Sequence, residues 1–218
     1  MAFAIVGCRL RCGSGMSPAG CHWQAWDHCH VGAARAAHRG DGEVVRMTDV
    51  GTYRCAVCRK DHQGPALNYG FAAPLAYDQV PRWLRWYRCH LTTDTCRIDE
   101  KHFFVLGDLR IPIRDADSSF SWTVWVSLRK DNFQRCLDLW LSPGREREPP
   151  CFGWLSNSIP GYPETLNLKT MVHTQAVGLR PEVMLEPTEH PLAAEQRNGM
   201  TWERVKEIAS IANHYTGR

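Results

Sequence analysis

The clearest signal along the chain is an alternation of period two. Residues 120–128 place Phe120, Trp122, Val124, Val126 and Leu128 on one side, and Ser121, Thr123, Trp125 and Ser127 on the other. Successive side chains of a strand point to opposite faces, and aromatic and β-branched residues suit a pleated surface. This run therefore predicts a strand. Residues 102–114 repeat the signal, with Leu109, Ile111 and Ile113 set against Arg110, Pro112 and Arg114. Gly107 and Asp108 read as a bulge within it. Between the two lies Asp-Ala-Asp-Ser-Ser at 115–119, the turn chemistry of a hairpin. Shorter strands are expected at 95–99, 152–156 and 166–175, and around Val183 and Leu185.

Elsewhere the period lengthens to that of a helix. Phe133, Cys136, Leu137, Trp140 and Leu141 share a face, with Asp131 as N-cap and Ser142-Pro143-Gly144 as a stop. Pro191 suits the first position of a second helix and Asn198-Gly199 its end. Thr201 can cap a third, in which Trp202, Val205, Ile208, Ala209 and Ala212 align. Strands, helix, strands and then helices predict an α+β fold with a mainly antiparallel sheet, in a single domain over residues 47–218.

Residues 1–46 show neither period. They carry Cys8, Cys12, Cys21 and Cys29 with His22, His28, His30 and His38, at spacings that make no pair of close two-ligand turns. This segment is expected to be a disordered extension, with Met47 as the true start.

Composition narrows the class. With 44% hydrophobic and 22% charged residues over 218 positions, the chain resembles ordinary globular proteins and can bury a core. A net charge of +3 without a concentrated basic stripe argues against nucleic acid as partner, and no apolar run is long enough to span a membrane. The start carries no signal-peptide core, so a cytoplasmic protein is expected. Its ten cysteines then read as free thiols or metal ligands rather than a disulfide framework.

The most specific chemical motif is Cys55-Ala-Val-Cys58-Arg-Lys-Asp-His62. A Cys-x-x-Cys turn brings two sulfurs to one point, and a nearby His can join them, which supplies two or three of the four donors that zinc takes. Cys96, before a strand, is the candidate fourth ligand, with Cys89 and His90 also within the same part of the chain. A structural zinc site and an unmetallated turn both remain open; a redox motif would need a helix start after Cys58, where the chain instead turns.

Around the turns of 152–199 stand Asn157, Tyr162, Lys169, His173, Glu186, Glu189 and His190. His173 with Glu186 could form an acid–base pair or ligate a metal, and His190 lies at a helix entry, where it could act or merely cap. Arg82-Trp83-Leu84-Arg85-Trp86-Tyr87-Arg88 alternates aromatic and basic residues, a pattern for stacking single-stranded nucleic acid or for one packed aromatic side with solvated arginines opposite. Phosphate-binding glycine loops, a nucleophile elbow and a His-Glu-x-x-His helix are all absent from the sequence.

Several blocks together, DTCRID at 94–99, HFFVLGDLRIPI at 102–113, WTVWVSL at 122–128, FGWLSNSIPGYPETLNLKT from 152 and LRPEVMLEPTEHPLAAEQRNG from 179, resemble the bacterial domain-of-unknown-function family 2199. The resemblance runs from Tyr53 to near the C-terminus and implies a small, soluble bacterial protein, with no activity attached. The expected function is thus a non-enzymatic binding or accessory protein with a structural zinc turn and an unidentified protein or small-molecule partner. The alternatives are a hydrolase-like small-molecule enzyme using His173, Glu186 and His190, and a single-stranded nucleic-acid binder.

Overall fold

The computed structural model describes residues 52–214. The N-terminal extension and the proposed start at Met47 lie outside the described residues. Strands β1 (Tyr53–Arg54) and β2 (Asp61–His62) make a small antiparallel ladder of their own. Then follow β3 (Asn68–Gly70), α1 (Leu75–Gln79), a 3-10 turn (Arg82–Leu84) and α2 (Arg85–Arg88). Next come β4 (Cys89–Leu91), β5 (Thr95–Ile98), β6 (His102–Ile113), β7 (Ser118–Leu128) and α3 (Lys130–Asp138). The chain ends with β8 (Cys151–Leu155), β9 (Lys169–His173), β10 (Glu182–Leu185), α4 (Pro191–Asn198) and α5 (Trp202–Ala212).

The fold is mixed α+β, and its sheet closes. Strands β7, β8, β9, β10 and β6 pair in that order, and β6 pairs back onto β7, so five strands form a barrel that β5, β4 and β3 extend. The expected antiparallel character holds only in part. Strand β10 lies parallel to β6, with Glu182 opposite Asp108, and β3 lies parallel to β7. The parallel contact of β10 with β6 is the one that shuts the ring, so closure depends on it.

Gly107 explains how two backbones come so near there. A Cβ at this position would stand 2.7 Å from Val183 Cγ2 and 2.8 Å from the Pro181 carbonyl oxygen, which itself accepts from the Asp108 N–H at 2.9 Å. The expected bulge at Gly107-Asp108 does not form: the register runs unbroken from Phe103↔Leu128 to Ile113↔Ser118, through Gly107↔Val124 and Asp108↔Thr123. The glycine is a site of close approach instead. Gly107→Ala should lower stability by about 2 kcal/mol, because a backbone oxygen cannot move aside as a side-chain tip can. Urea unfolding measures this, and an unchanged midpoint would contradict it.

Both faces of β6 and β7 are buried, which period-two reading of β7 alone does not show. Phe103, Val105, Leu109, Ile111, Phe120, Trp122, Val124 and Val126 join the main core with Leu192 of α4 and Val205, Ile208 and Ala209 of α5. On the opposite face, Phe104, Leu106 and Trp125 meet Val80, Cys96 and Ile98 in a second cluster beneath α1 and α2. Trp125 is held by its indole N–H donating to the Phe71 carbonyl at 2.9 Å. Two helix starts behave as expected: Thr201 accepts from the Arg204 N–H at 3.3 Å, and Pro191 is at the first turn of α4. At α3 the expectation fails by two residues. Arg129 is the N-cap with no side-chain bond, and Asp131 sits inside the first turn, where its carboxylate still suits the positive end of the helix.

Candidate metal centre

The chain enters the described region through β1 and doubles back at once. Between β1 and β2, the Cys55 N–H donates to the Lys60 carbonyl and the Arg59 N–H to the Cys55 carbonyl, both at 2.9 Å. Arg59 takes a left-handed φ of 58° to close this turn. Cys55 and Cys58 therefore lie within the turn, and His62 returns on β2 opposite Tyr53. Cys58 Sγ and His62 Nε2 stand 3.1 Å apart.

The fourth member comes from the far end of the chain. Asn213, which caps α5, donates from its side-chain amide to the Tyr53 hydroxyl at 3.0 Å and accepts from the Tyr69 hydroxyl at 3.5 Å. Ser210 on α5 accepts from the Ala56 N–H at 3.4 Å. These bonds seat the end of α5 on the Cys-x-x-Cys turn and bring His214 against His62, ring centroids 5.8 Å apart and edge-on at 81°. One ligand atom from each of Cys55, Cys58, His62 and His214 lies within 4.8 Å of all the others.

That donor set is one zinc accepts: two thiolates and two imidazoles. Around a tetrahedral zinc the same atoms would stand about 3.3 to 3.8 Å apart, so the Cys58–His62 pair would open slightly and the wider pairs would draw in by up to about 1 Å. Cys55 is prepared for the thiolate form. Burial pushes its thiol up, but the N–H groups of Cys58 and Val57, with the Cys58 and Ser210 side chains, outweigh burial and bring it down to about 6. The C-terminal end of α5 lies beside the same point, where its negative dipole end opposes a thiolate and suits a bound cation.

Cys96, expected as the fourth ligand, is elsewhere. Fully buried in the second cluster with Ile98, Phe104 and Leu106, it has its thiol pushed up to about 12 by burial and by the neighbouring Cys89. A strand side chain follows its sheet face, and this face points away from the turn. His214 carries no spacing signal toward Cys55 in the sequence, because it is brought there by the docking of α5.

The polar candidates of 152–199 do not converge. In the β9–β10 ladder His173 faces Glu182, while the Glu186 N–H donates to the Lys169 carbonyl, four residues along β9. At about 3.3 Å per residue this puts His173 and Glu186 on the order of 13 Å apart. Glu186 pairs with Lys169 at 3.3 Å, beside a surface pocket of about 230 Å³ that Trp154, Asn167 and Thr188 also line. His190 caps α4, its Nδ1 accepting from the Leu192 N–H at 3.2 Å. Glu189 is exposed at the same corner. Asn157 is buried between the Trp125 N–H and the Ala73 carbonyl, and the Tyr162 hydroxyl donates to Glu195, which Arg204 also holds.

The aromatic and basic run is inverted relative to the packed-helix expectation. Trp83, Trp86 and Tyr87 are 73%, 83% and 76% exposed. Arg85 donates to the Val80 and Asp78 carbonyls and stacks over Tyr77 at 4.6 Å, and Arg88 is paired with Asp99. A 3-10 turn followed by one four-residue helix is too short to bury an apolar face, and Leu84 alone packs inward against the second cluster.

Among the described residues no helix is long and apolar enough to cross a membrane. No curated protein and no solved structure matches the chain. A family model does match, over residues 54–200, which takes in Cys55, Cys58 and His62 and stops before His214. The chain belongs to that family, described as an uncharacterized protein conserved in bacteria, DUF2199.

Proposed function

We propose that this chain is a cytoplasmic, non-enzymatic binding or accessory protein whose N- and C-terminal parts are stapled by a structural zinc ion. The convergence of Cys55, Cys58, His62 and His214 within 4.8 Å carries the reading. Four protein donors fill a tetrahedron, and a catalytic zinc keeps one position open for water or substrate. The staple has a mechanical sense as well. The β1–β2 ladder is two residues deep on each strand, too small to hold itself, and a bond to His214 ties it to α5 and through α5 to the core. The exposed Trp83, Trp86 and Tyr87 support the binding half of the proposal, since Trp and Tyr supply large contact area at small entropic cost.

Elemental analysis of the protein purified without added metal is expected to give about one zinc per chain. Cys58→Ser should reduce that to below about one tenth, and Cys96→Ser should leave it unchanged. A metal content that ignores Cys58, or that follows Cys96, would overturn the assignment.

A further inference from the structure

The metal centre leaves a second pair of thiols unused. Cys136 lies on α3 and Cys151 opens β8, fifteen positions later, and both face one opening between these two elements. Each thiol is free and half-buried. Both line a surface pocket of about 260 Å³, together with Asn132, Arg135, Glu148 and Phe152.

The opening is built from both sides. α3 is anchored by Phe133, stacked on Phe103 of β6 with centroids 5.2 Å apart. β8 is fixed independently, paired with β7 on one side and β9 on the other, with Cys151 opposite Val172. Across the pocket, Arg135 donates to both oxygens of Glu148, at 3.1 and 2.9 Å, and so ties α3 to the segment that delivers Cys151. The two thiols thus open onto one solvent-reachable pocket between two separately held elements.

We propose that Cys136 and Cys151 are a thiol–disulfide exchange site, which closes to an intramolecular disulfide on reaction with a small-molecule disulfide entering this pocket. Cys151 is the attacking group. The neighbouring Cys136 side chain brings its thiol down to about 7, against burial and Glu148, while Cys151 and burial push Cys136 up. A thiol that titrates near ambient pH combines thiolate supply with nucleophilicity. The Cys151 thiolate attacks one sulfur of the small disulfide, breaks its S–S bond and releases one half as a thiolate. Cys136 then attacks Cys151 Sγ, gives up its proton to the departing second half, and forms the Cys136–Cys151 bond. Two protein thiols are oxidised by two electrons, and one small disulfide is reduced to two thiols.

The other described cysteines lack one requirement or another. Cys96 is fully buried, burial holds the Cys89 thiol up, and Cys55 and Cys58 are donors of the proposed metal centre.

The test uses the full, zinc-loaded chain treated with glutathione disulfide, followed by alkylation of free thiols and non-reducing peptide mapping. The expected product is a peptide pair joined between Cys136 and Cys151, with both positions lost to alkylation, zinc retained, and full reversal by a phosphine reductant. In Cys136→Ser a glutathione adduct should accumulate on Cys151. In Cys151→Ser, Cys136 should react at least tenfold more slowly than Cys151 does in the unaltered chain. Persistent alkylation of both thiols while other cysteines oxidise would overturn the proposal. So would a stable glutathione adduct in the unaltered chain with no cross-link, or a disulfide formed at Cys55 and Cys58 instead.

Discussion

Removing the proposed zinc with a strong chelator should lower the melting temperature by about 10 °C, and Cys58→Ser should do the same without chelator. The size follows from linkage. An ion present at about a thousand times its dissociation constant stabilises the folded state by about 4 kcal/mol, and each kcal/mol moves the midpoint of a domain of this size by about 2 to 4 °C. Differential scanning calorimetry at fixed free zinc reads the shift. In Cys58→Ser the chelator should have no further effect, and a second drop there would mean that the stabilising metal lies elsewhere. His214→Ala is the sharper variant, because it leaves the Cys-x-x-Cys turn intact and removes the bond to α5. It should loosen the end of α5, seen as faster amide exchange at Asn213, along with a lowered midpoint.

The same centre sets a pH dependence. The folded Cys55 thiol titrates near 6, below its ordinary value of 9.0. A depressed acid contributes stability that is full above the unfolded value, shrinks as pH falls from 9.0 toward 6, and is gone below about 6. Zinc affinity should accordingly hold between pH 7 and 8 and fall steeply below about 6, where the proton competes for the sulfur. Titration of zinc release against a metal-sensitive dye would show it, and an affinity flat down to pH 5 would count against Cys55 as a ligand.

Arg145→Ala should cost about 3 to 5 kcal/mol in urea unfolding, among the largest losses for any single polar residue here. Arg145 is buried, yet its guanidinium pairs with no carboxylate among the described residues. It donates instead to four backbone carbonyls, Trp140 at 2.7 Å, Gln175 at 2.8 Å, Leu179 at 2.8 Å and Ala176 at 3.2 Å. It also lies 5.4 Å over the Trp140 ring. Gly144, with a left-handed φ of 84°, turns the chain so that this side chain points inward. Truncation strands those carbonyls and frees the segment that leads through Pro181 into β10, so the Asp108 amide at the barrel seam should exchange faster. Arg145→Lys should recover less than half of the loss, because one ammonium cannot match a planar fork. Arg129→Ala, which removes an exposed pair with Asp131, should stay within about 0.5 kcal/mol and serves as the comparison.

Much of the fold is written locally. The alternation at 120–128 gives β7, the stop after residue 114 gives the hairpin, and the Thr201 cap with its apolar face gives α5. Each depends on residues a few positions apart, for which the backbone geometry is known in advance. The same holds for Cys55, Cys58 and His62, which one turn brings together.

What the alternation could not show is which faces would find partners. Trp125 sits on the more polar side of β7, and that side is buried because α1, α2 and the preceding segment cover it.

The sequence by itself determined the long hairpin, the strands from β8 to β10, the starts of α4 and α5 and the Cys55, Cys58 and His62 turn, because those follow from short-range periodicity and turn chemistry. The tertiary structure alone decided the closure of the barrel at Gly107 and Pro181, the approach of His214 rather than Cys96 to the Cys-x-x-Cys turn, and the opening of Cys136 and Cys151 onto one pocket. In each case the partners are set by which sheet faces and helix ends pack together, and close approach at Gly107 and docking of α5 through Asn213 are long-range contacts that no spacing along the chain encodes.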